Sequence, residues 1–190
     1  MKVIGSVTSP FVRRIRALLE LRDIPFEFEA LDTRSDAGRL RVGSLSNIRR
    51  VPLLEDEGNI IFDSLIIVEY ILQKKDEIIS IEDKLLLKLV DEISDSAVHL
   101  FQLKFHGDDT DWKTKFACNH LNRVDDCLSQ IDQDISKYED GNTVKSIWLY
   151  CLVDWLLFRE VFEMSKYSNI LNFYNSQSTR DIFVETDPRL

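Results

Sequence analysis

The pattern of apolar and polar positions changes partway along the chain. Short alternating runs and helical spacing are mixed in the first 75 residues, whereas helical spacing alone continues from residue 83. The pattern predicts the order strand, helix, strand, helix, strand, strand, helix, followed only by helices. The predicted elements are strands over 2–7 and 26–31, a hairpin over 51–62, helices from Pro10 and from Asp63, a short helix within 33–50, and helices over 83–106, 112–138, 143–163, 167–174 and 176–183.

This change of pattern divides the chain into two predicted domains. We expect a first domain over 1–75, a linker over 76–82 and an all-helical second domain over 83–190. A crossover connection followed by a hairpin gives a small mixed sheet with helices on its faces. The predicted fold class is therefore an α/β domain with a mixed four-stranded sheet, followed by an all-α domain.

The first predicted helix begins with an unusual pair, Ser9-Pro10. Proline suits a first helical turn, because its missing N–H would be unpaired there in any case. Ser9 either caps this helix or places a reactive hydroxyl at its start. The residues alone leave both interpretations open.

Charge is distributed unevenly along the 190 residues. The net charge is −9, yet residues 1–50 contain ten Lys or Arg against six Asp or Glu, and residues 51–190 contain 14 against 27. An acidic surface disfavours nucleic acid as a partner. The basic first part suits a small anionic ligand, although taken alone the pattern favours a solvated face of arginines.

Cysteine usage and hydropathy indicate an intracellular setting. Cys118, Cys127 and Cys151 are too few and too scattered for a disulfide framework. Cys118 and His120 are a poor metal pair, because positions i and i+2 point to different sides of a helix. No apolar run approaches the roughly 20 residues that span a membrane. We expect a cytoplasmic protein without a metal or a membrane partner.

Several motifs together resemble one family. "TSPFVRR", "IPFEFEAL" and "VPLLEDEGNIIFDSLIIVEYI" precede an all-helical half. In this order they are similar to the cytosolic glutathione S-transferases, above all to bacterial members that begin "SxTSPFVRK", and the tail "NSQSTRDIFVETDP" is similar too. Val51-Pro52 followed by Asp63-Ser64 is the most specific part. The resemblance implies a thioredoxin-like first domain, a homodimer, detoxification chemistry, and no cofactor beyond glutathione as co-substrate.

The resemblance also implies a glutathione site. A cis bond between Val51 and Pro52 would leave the Val51 backbone free to pair with glutathione as an added strand. Asp63 and Ser64 would hold the γ-glutamyl ammonium and carboxylate at a helix start, or they would simply cap that helix. Phe11 is counted with these binding residues.

Arg50 stands where similar proteins carry a cation for the glycine carboxylate of glutathione. An arginine can bind a carboxylate through two parallel hydrogen bonds. The preceding loop departs from the family pattern, because "NPxGKVP" is replaced by "SNIRRVP" and Arg49 stands in place of glycine. If that position requires a left-handed backbone, Arg49 costs of order 1 kcal/mol.

Ser9 takes the place of a nucleophilic cysteine in related enzymes. No cysteine precedes residue 118, so disulfide exchange at this position is unavailable. We predict that Ser9 donates to the glutathione sulfur. Lowering a thiol pKa by about 2 units needs about 2.7 kcal/mol, and a hydrogen bond to a charged group supplies about 1.5–3 kcal/mol. Thr8 is a competing donor, disfavoured if the chain is extended there. Alternatively, both residues only cap the helix.

The second substrate would be a small hydrophobic electrophile in an apolar cleft at the domain junction. Candidate wall residues are Phe11, His99, Leu103, His106 and Trp112, each of which also fits a place in the core or on the surface.

The predicted function is that of a glutathione transferase, which conjugates or reduces a small electrophile. The alternative is a catalytically silent interaction protein with the same fold, as in stringent-starvation-type regulators. Ser64 and the hydroxyl at the helix start favour ligand binding over that alternative. A peroxidase or disulfide reductase is disfavoured by the missing cysteine. The sequence does not identify the electrophile.

Overall fold

The computed structural model describes residues 1–190. The chain forms two compact units, one made of residues 1–79 with 180–190 and the other of residues 80–179. Residues 180–190, which the helical apolar pattern assigns to the second domain, belong to the first unit.

The first unit is built on a mixed four-stranded sheet. Its strand order is β2-β1-β3-β4, in which β1 runs parallel to β2 and antiparallel to β3, and β3 pairs antiparallel with β4. The predicted thioredoxin-like fold class is confirmed. The elements are β1 (Lys2–Gly5), α1 (Pro10–Leu21), β2 (Glu27–Ala30), α2 (Asp36–Leu45), β3 (Leu53–Asp56), β4 (Asn59–Phe62), α3 (Ser64–Gln73) and, near the end of the chain, α8 (Asp181–Val184).

Burial explains why these strands take their places. Val3 and Ile4 of β1 and Leu53 and Leu54 of β3 are fully buried. Neighbouring residues of a strand point to opposite faces, so both faces of the two central strands are covered. No residue of the outer strands β2 and β4 is fully enclosed. The sheet therefore has its core under β1 and β3, and both strands lead into the site described below.

The second unit contains only helices. They are α4 (Ile81–His106), α5 (Lys115–Gln133), a 3₁₀ turn (Ile135–Lys137), α6 (Val144–Arg159) and α7 (Ser168–Gln177). Residues 146–156 of α6 are buried without a break, so α6 is the centre of this unit. Side-chain caps from Ser80, Thr114 and Thr143 start α4, α5 and α6. The structure contains no helix whose length and apolar character would allow it to cross a membrane.

Candidate functional site

Three segments of the first unit meet at the carboxyl end of β1. A Cβ placed on Gly5 would lie 2.5 Å from Cγ2 of Val12 and 3.2 Å from Cβ of Val51. Only glycine allows this close approach, because any side chain would displace one of the two valines. The first turn of α1 and the residue before Pro52 are consequently neighbours.

The backbone beside β3 is open at Val51. The Val51–Pro52 peptide bond is cis. The ladders that join β3 to β1 and to β4 begin at Leu53, and the N–H and C=O of Val51 make no hydrogen bond. A free donor and acceptor on one residue can pair with an extended peptide.

Ser9 is the N-cap of α1. Its backbone is extended, and its Oγ accepts a hydrogen bond from the Val12 N–H at 3.4 Å. Ser9 therefore caps the helix, as the first of the two interpretations predicts. A serine hydroxyl has a proton to donate as well as lone pairs that accept. Because the cap uses Oγ only as an acceptor, the proton of half-buried Ser9 stays available to another group.

Thr8 does not lie on an extended chain. The Ser9 N–H donates to the Ser6 carbonyl at 3.2 Å, which closes a turn over Val7 and Thr8. The assumption used to set Thr8 aside is therefore wrong. The Thr8 hydroxyl lies 3.3 Å from the Ser6 Oγ and so has a local partner. The choice of Ser9 over Thr8 remains a prediction.

The start of α3 combines a strained residue with an unpaired N–H group. Asp63 has φ 65° and ψ 129°, a conformation that L residues rarely adopt and that costs about 1–3 kcal/mol. Its carboxylate accepts from the Leu65 N–H at 2.9 Å and so caps the helix. The adjoining Ser64 N–H makes no hydrogen bond. A helix start with a free N–H favours an anion.

Arg14 joins α1 to the start of α3. Its Nη2 donates to Oγ of Ser64 at 2.5 Å, and both side chains are buried. The guanidinium also lies over the Phe11 ring, 4.6 Å from the ring centroid. Because the Ser64 oxygen accepts from the Arg14 guanidinium, the Ser64 hydroxyl proton can donate only to a different acceptor. Phe11, Arg14 and Ser64 thus form one chain of contacts beside the Ser9 turn.

Sequence reasoning missed Arg14. The solvated-face interpretation is wrong for Arg13 and Arg14, each of which is only 3% exposed. A signal was present, because positions 10, 13, 14, 17 and 18 follow the i, i+3, i+4 spacing of a buried helix face. All five of these positions are buried in α1.

The loop before Val51 contains one residue with a left-handed backbone. Arg49 has φ 51°, so the left-handed backbone that glycine would supply is present. Its side chain folds over α2, with Nε 3.7 Å from the position of a Cβ on Gly43. Arg50 is exposed and has no acidic partner, so its guanidinium is free for a ligand carboxylate.

We predict that Arg49→Gly raises the free energy of unfolding by about 0.5–1 kcal/mol. Relief of the left-handed strain stabilises the folded state by about 1–2 kcal/mol. The greater conformational entropy of glycine in the unfolded chain offsets about 0.4–1 kcal/mol of that stabilisation. Arg50→Gly is the matched control. Arg50 does not have a positive φ, so this change should lower stability. Urea denaturation of both variants measures the difference, and equal signs would contradict the assignment.

Four of the five predicted wall residues lie in the second unit, and Phe11 lies in the first. His99 and Leu103 are half-buried one turn apart on α4, His106 is exposed at its end, and Trp112 is half-buried in the following loop. No ring contact joins His99, His106 and Trp112. His99 contacts α5 instead, with its ring 5.0 Å from that of His120 and 6.0 Å from that of Phe116. Their role in substrate binding remains a prediction.

The contact between α4 and α5 gives a pH prediction. His120 Nδ1 lies 3.0 Å from the Ser96 Oγ. Burial lowers the pKa of His120, His99 and Arg123 lower it further, and Glu92 opposes them. The unfolded chain, with a histidine pKa of about 6.5, therefore takes up a proton before the folded chain does.

Stability should consequently fall as the pH drops below about 6.5, and this loss should level off below the folded-state pKa. His120→Gln is expected to flatten that slope, while His106→Gln, at an exposed position, leaves it unchanged. Denaturant titrations between pH 7.5 and 5 measure both slopes. Identical slopes in the wild type and His120→Gln would contradict the prediction.

No group of three or more His, Cys, Asp or Glu side chains is placed to hold a metal ion.

Comparisons with known proteins point to one family. Residues 3–77 match the family model described as glutathione S-transferase, N-terminal domain. The uncharacterized GST-like protein YibF of Escherichia coli K12 is 28% identical, across 99% of this chain and 98% of YibF. Glutathione S-transferase U6 of Arabidopsis thaliana is 33% identical over 48% of this chain and 44% of the plant protein.

Solved structures share the fold. A glutathione S-transferase of Methylobacillus flagellatus KT, solved with GSH bound, has a TM-score of 0.82 at 20% identity and covers 97% of this chain and 98% of its own. One from Methylobacterium radiotolerans, in complex with glutathione sulfonate, has a TM-score of 0.83 at 18% identity and covers 97% and 93%. The chain therefore has the fold of the glutathione S-transferases. The domain match over 3–77 supports kinship of that part of the chain with the glutathione S-transferases.

Proposed function

We propose that this protein binds glutathione, ionises its thiol and adds the thiolate to a small hydrophobic electrophile. The observation that carries the proposal is the Arg14–Ser64 bond, which uses the Ser64 oxygen as an acceptor and leaves the serine proton, next to an unpaired helix N–H, for an incoming anion. Solved neighbours of the same fold hold GSH or glutathione sulfonate, which supports the ligand.

Binding follows from the free groups of the site. The Val51 backbone pairs with the cysteinyl part of glutathione as with an added strand. Ser64 donates to the γ-glutamyl carboxylate, and Asp63 accepts from the γ-glutamyl ammonium with the oxygen that does not cap α3. Arg50 binds the glycine carboxylate. Phe11 packs on Arg14 and fixes the guanidinium behind Ser64.

Ser9 provides the chemistry at the sulfur. Its proton, unused by the cap, donates to the thiolate, while the N-terminus of α1 adds a favourable dipole worth about 0.3–1 kcal/mol. A hydrogen bond to a charged group contributes about 1.5–3 kcal/mol. The two terms together reach the roughly 2.7 kcal/mol that lowers a thiol pKa by about 2 units.

The reaction then needs no further group from the protein. The sulfur lone pair attacks an electron-poor carbon, a C–S bond forms, and the leaving group departs with its electron pair. The proton lost from the thiol goes to solvent before attack. We further propose a cytoplasmic homodimer of the bacterial "SxTSPFVRK" type.

A nitroaryl chloride and glutathione test this function at pH 7. Turnover above the solution reaction, with a pH profile that shows a thiol pKa below about 8.5, supports it. Glutathione binding without turnover would instead support the silent interaction protein.

A further inference from the structure

The tail of the chain holds the first turn of α1. Residues 180–190 belong to the first unit although they follow the whole helical unit in sequence. Phe183 and Thr186 are each 1% exposed. Phe183 belongs to α8, which has only four residues, too few to persist without tertiary partners. Something outside α8 must therefore fix it.

Arg13 is that partner. Its Nη2 donates to the Phe183 carbonyl at 2.8 Å, and its Nε donates to Oγ1 of Thr186 at 3.3 Å. Thr186 in turn donates to the Ile182 carbonyl at 2.6 Å. One buried guanidinium thus satisfies acceptors at the end of α8. Arg16 adds a longer bond to the Glu185 carbonyl.

The same residue stands one turn from Ser9. The Arg13 N–H donates to the Ser9 carbonyl at 3.0 Å, the first hydrogen bond of α1. The next residue, Arg14, reaches the other way to Ser64. Successive helical residues project about 100° apart, so two neighbouring arginines fasten α1 on two sides.

We propose that Arg13 and Thr186 are positioning residues, through which the chain's tail sets the orientation of the Ser9 hydroxyl and of Arg14 against Ser64. Neither residue touches the ligand. The inference rests on the proposed glutathione site and assigns to it two residues that lie outside it. Because the Arg13 guanidinium is buried, bulk water does not compete for its hydrogen bonds to Phe183 and Thr186. A shift of the tail therefore also shifts Arg13 and the first turn of α1.

Thermodynamic linkage gives the test. If the tail aligns the site, glutathione must steady the tail to the same extent. Hydrogen exchange of full-length wild-type protein is measured with and without saturating glutathione. We expect slower exchange in residues 181–187, which a purely structural tail would not show.

A pair of variants gives a second readout. Thr186→Val removes the hydroxyl, and Thr186→Ser keeps it. Thr186→Val is expected to weaken glutathione binding about five- to tenfold and to raise the pKa of the bound thiol, while Thr186→Ser restores both. Circular dichroism shows whether each variant is folded.

The outcomes separate the two proposals. Unchanged exchange in the tail, with normal glutathione binding by the wild type, overturns the positioning role alone. A folded Thr186→Val with wild-type affinity and thiol pKa does the same. A wild type that does not bind glutathione overturns the proposed function, and this inference with it.

Discussion

Ser64→Ala is expected to weaken glutathione binding about 10- to 100-fold. Ser64 makes the hydrogen bond to the γ-glutamyl carboxylate in the proposed site, and a bond to a charged group is worth about 1.5–3 kcal/mol, which is about one to two decades in affinity. The variant also removes an acceptor from the buried Arg14 guanidinium. Isothermal titration calorimetry with glutathione measures the change.

Ser44→Ala is a suitable control for that experiment. Ser44 is an exposed serine on α2 whose hydroxyl donates to the Arg41 carbonyl. Its loss should leave the affinity unchanged. If Ser64→Ala kept the affinity of the wild type, the γ-glutamyl end would not lie at the start of α3, and the serine would be no more than a structural partner of Arg14.

Ser9→Ala is expected to raise the pKa of the bound thiol by about one to two units, the equivalent of the lost hydrogen bond of about 1.5–3 kcal/mol. Turnover at pH 7 should fall by about three- to 25-fold, because the thiolate fraction drops as the thiol pKa rises from about 6.5, and the loss should recover as the pH rises past the new pKa. The missing cap should also lower the free energy of unfolding by about 1 kcal/mol. Ultraviolet difference titration of the thiolate checks the first effect.

Thr8→Val separates the two hydroxyls. Thr8 lies in the turn closed by Ser6 and Ser9, with its hydroxyl near Ser6. We expect this variant to leave the thiol pKa unchanged. If Thr8→Val raised the pKa and Ser9→Ala did not, Thr8 would be the donor and Ser9 only a cap.

The pattern of apolar positions predicted the order of the elements well. Burial of one helix face imposes a period on the sequence, and the buried positions 117, 124, 128 and 131 of α5 carry that period clearly. The start of α3 was also legible, because Asp63 is a typical capping residue before an apolar run.

Other features could not be predicted, for physical reasons. Arginine is normally a surface residue, so the helical spacing of Arg13 and Arg14 indicates a buried face but does not identify the acceptors that make their burial possible. Those acceptors lie 170 residues away for Arg13 and 50 for Arg14. The turn over Val7 and Thr8 contains no glycine, so the sequence gives no local signal for it. Local propensity does not contain such long-range partners.

Calorimetric titration of the wild type with glutathione and its two component dipeptides tests the central claim most directly. We expect the wild type to bind glutathione at pH 7 with a Kd between about 1 μM and 1 mM. We expect tighter binding of γ-Glu-Cys, which keeps the groups that meet Asp63 and Ser64, than of Cys-Gly, which keeps only the groups that meet Val51 and Arg50. Absence of glutathione binding up to about 10 mM, or equal binding of the two dipeptides, would contradict that claim.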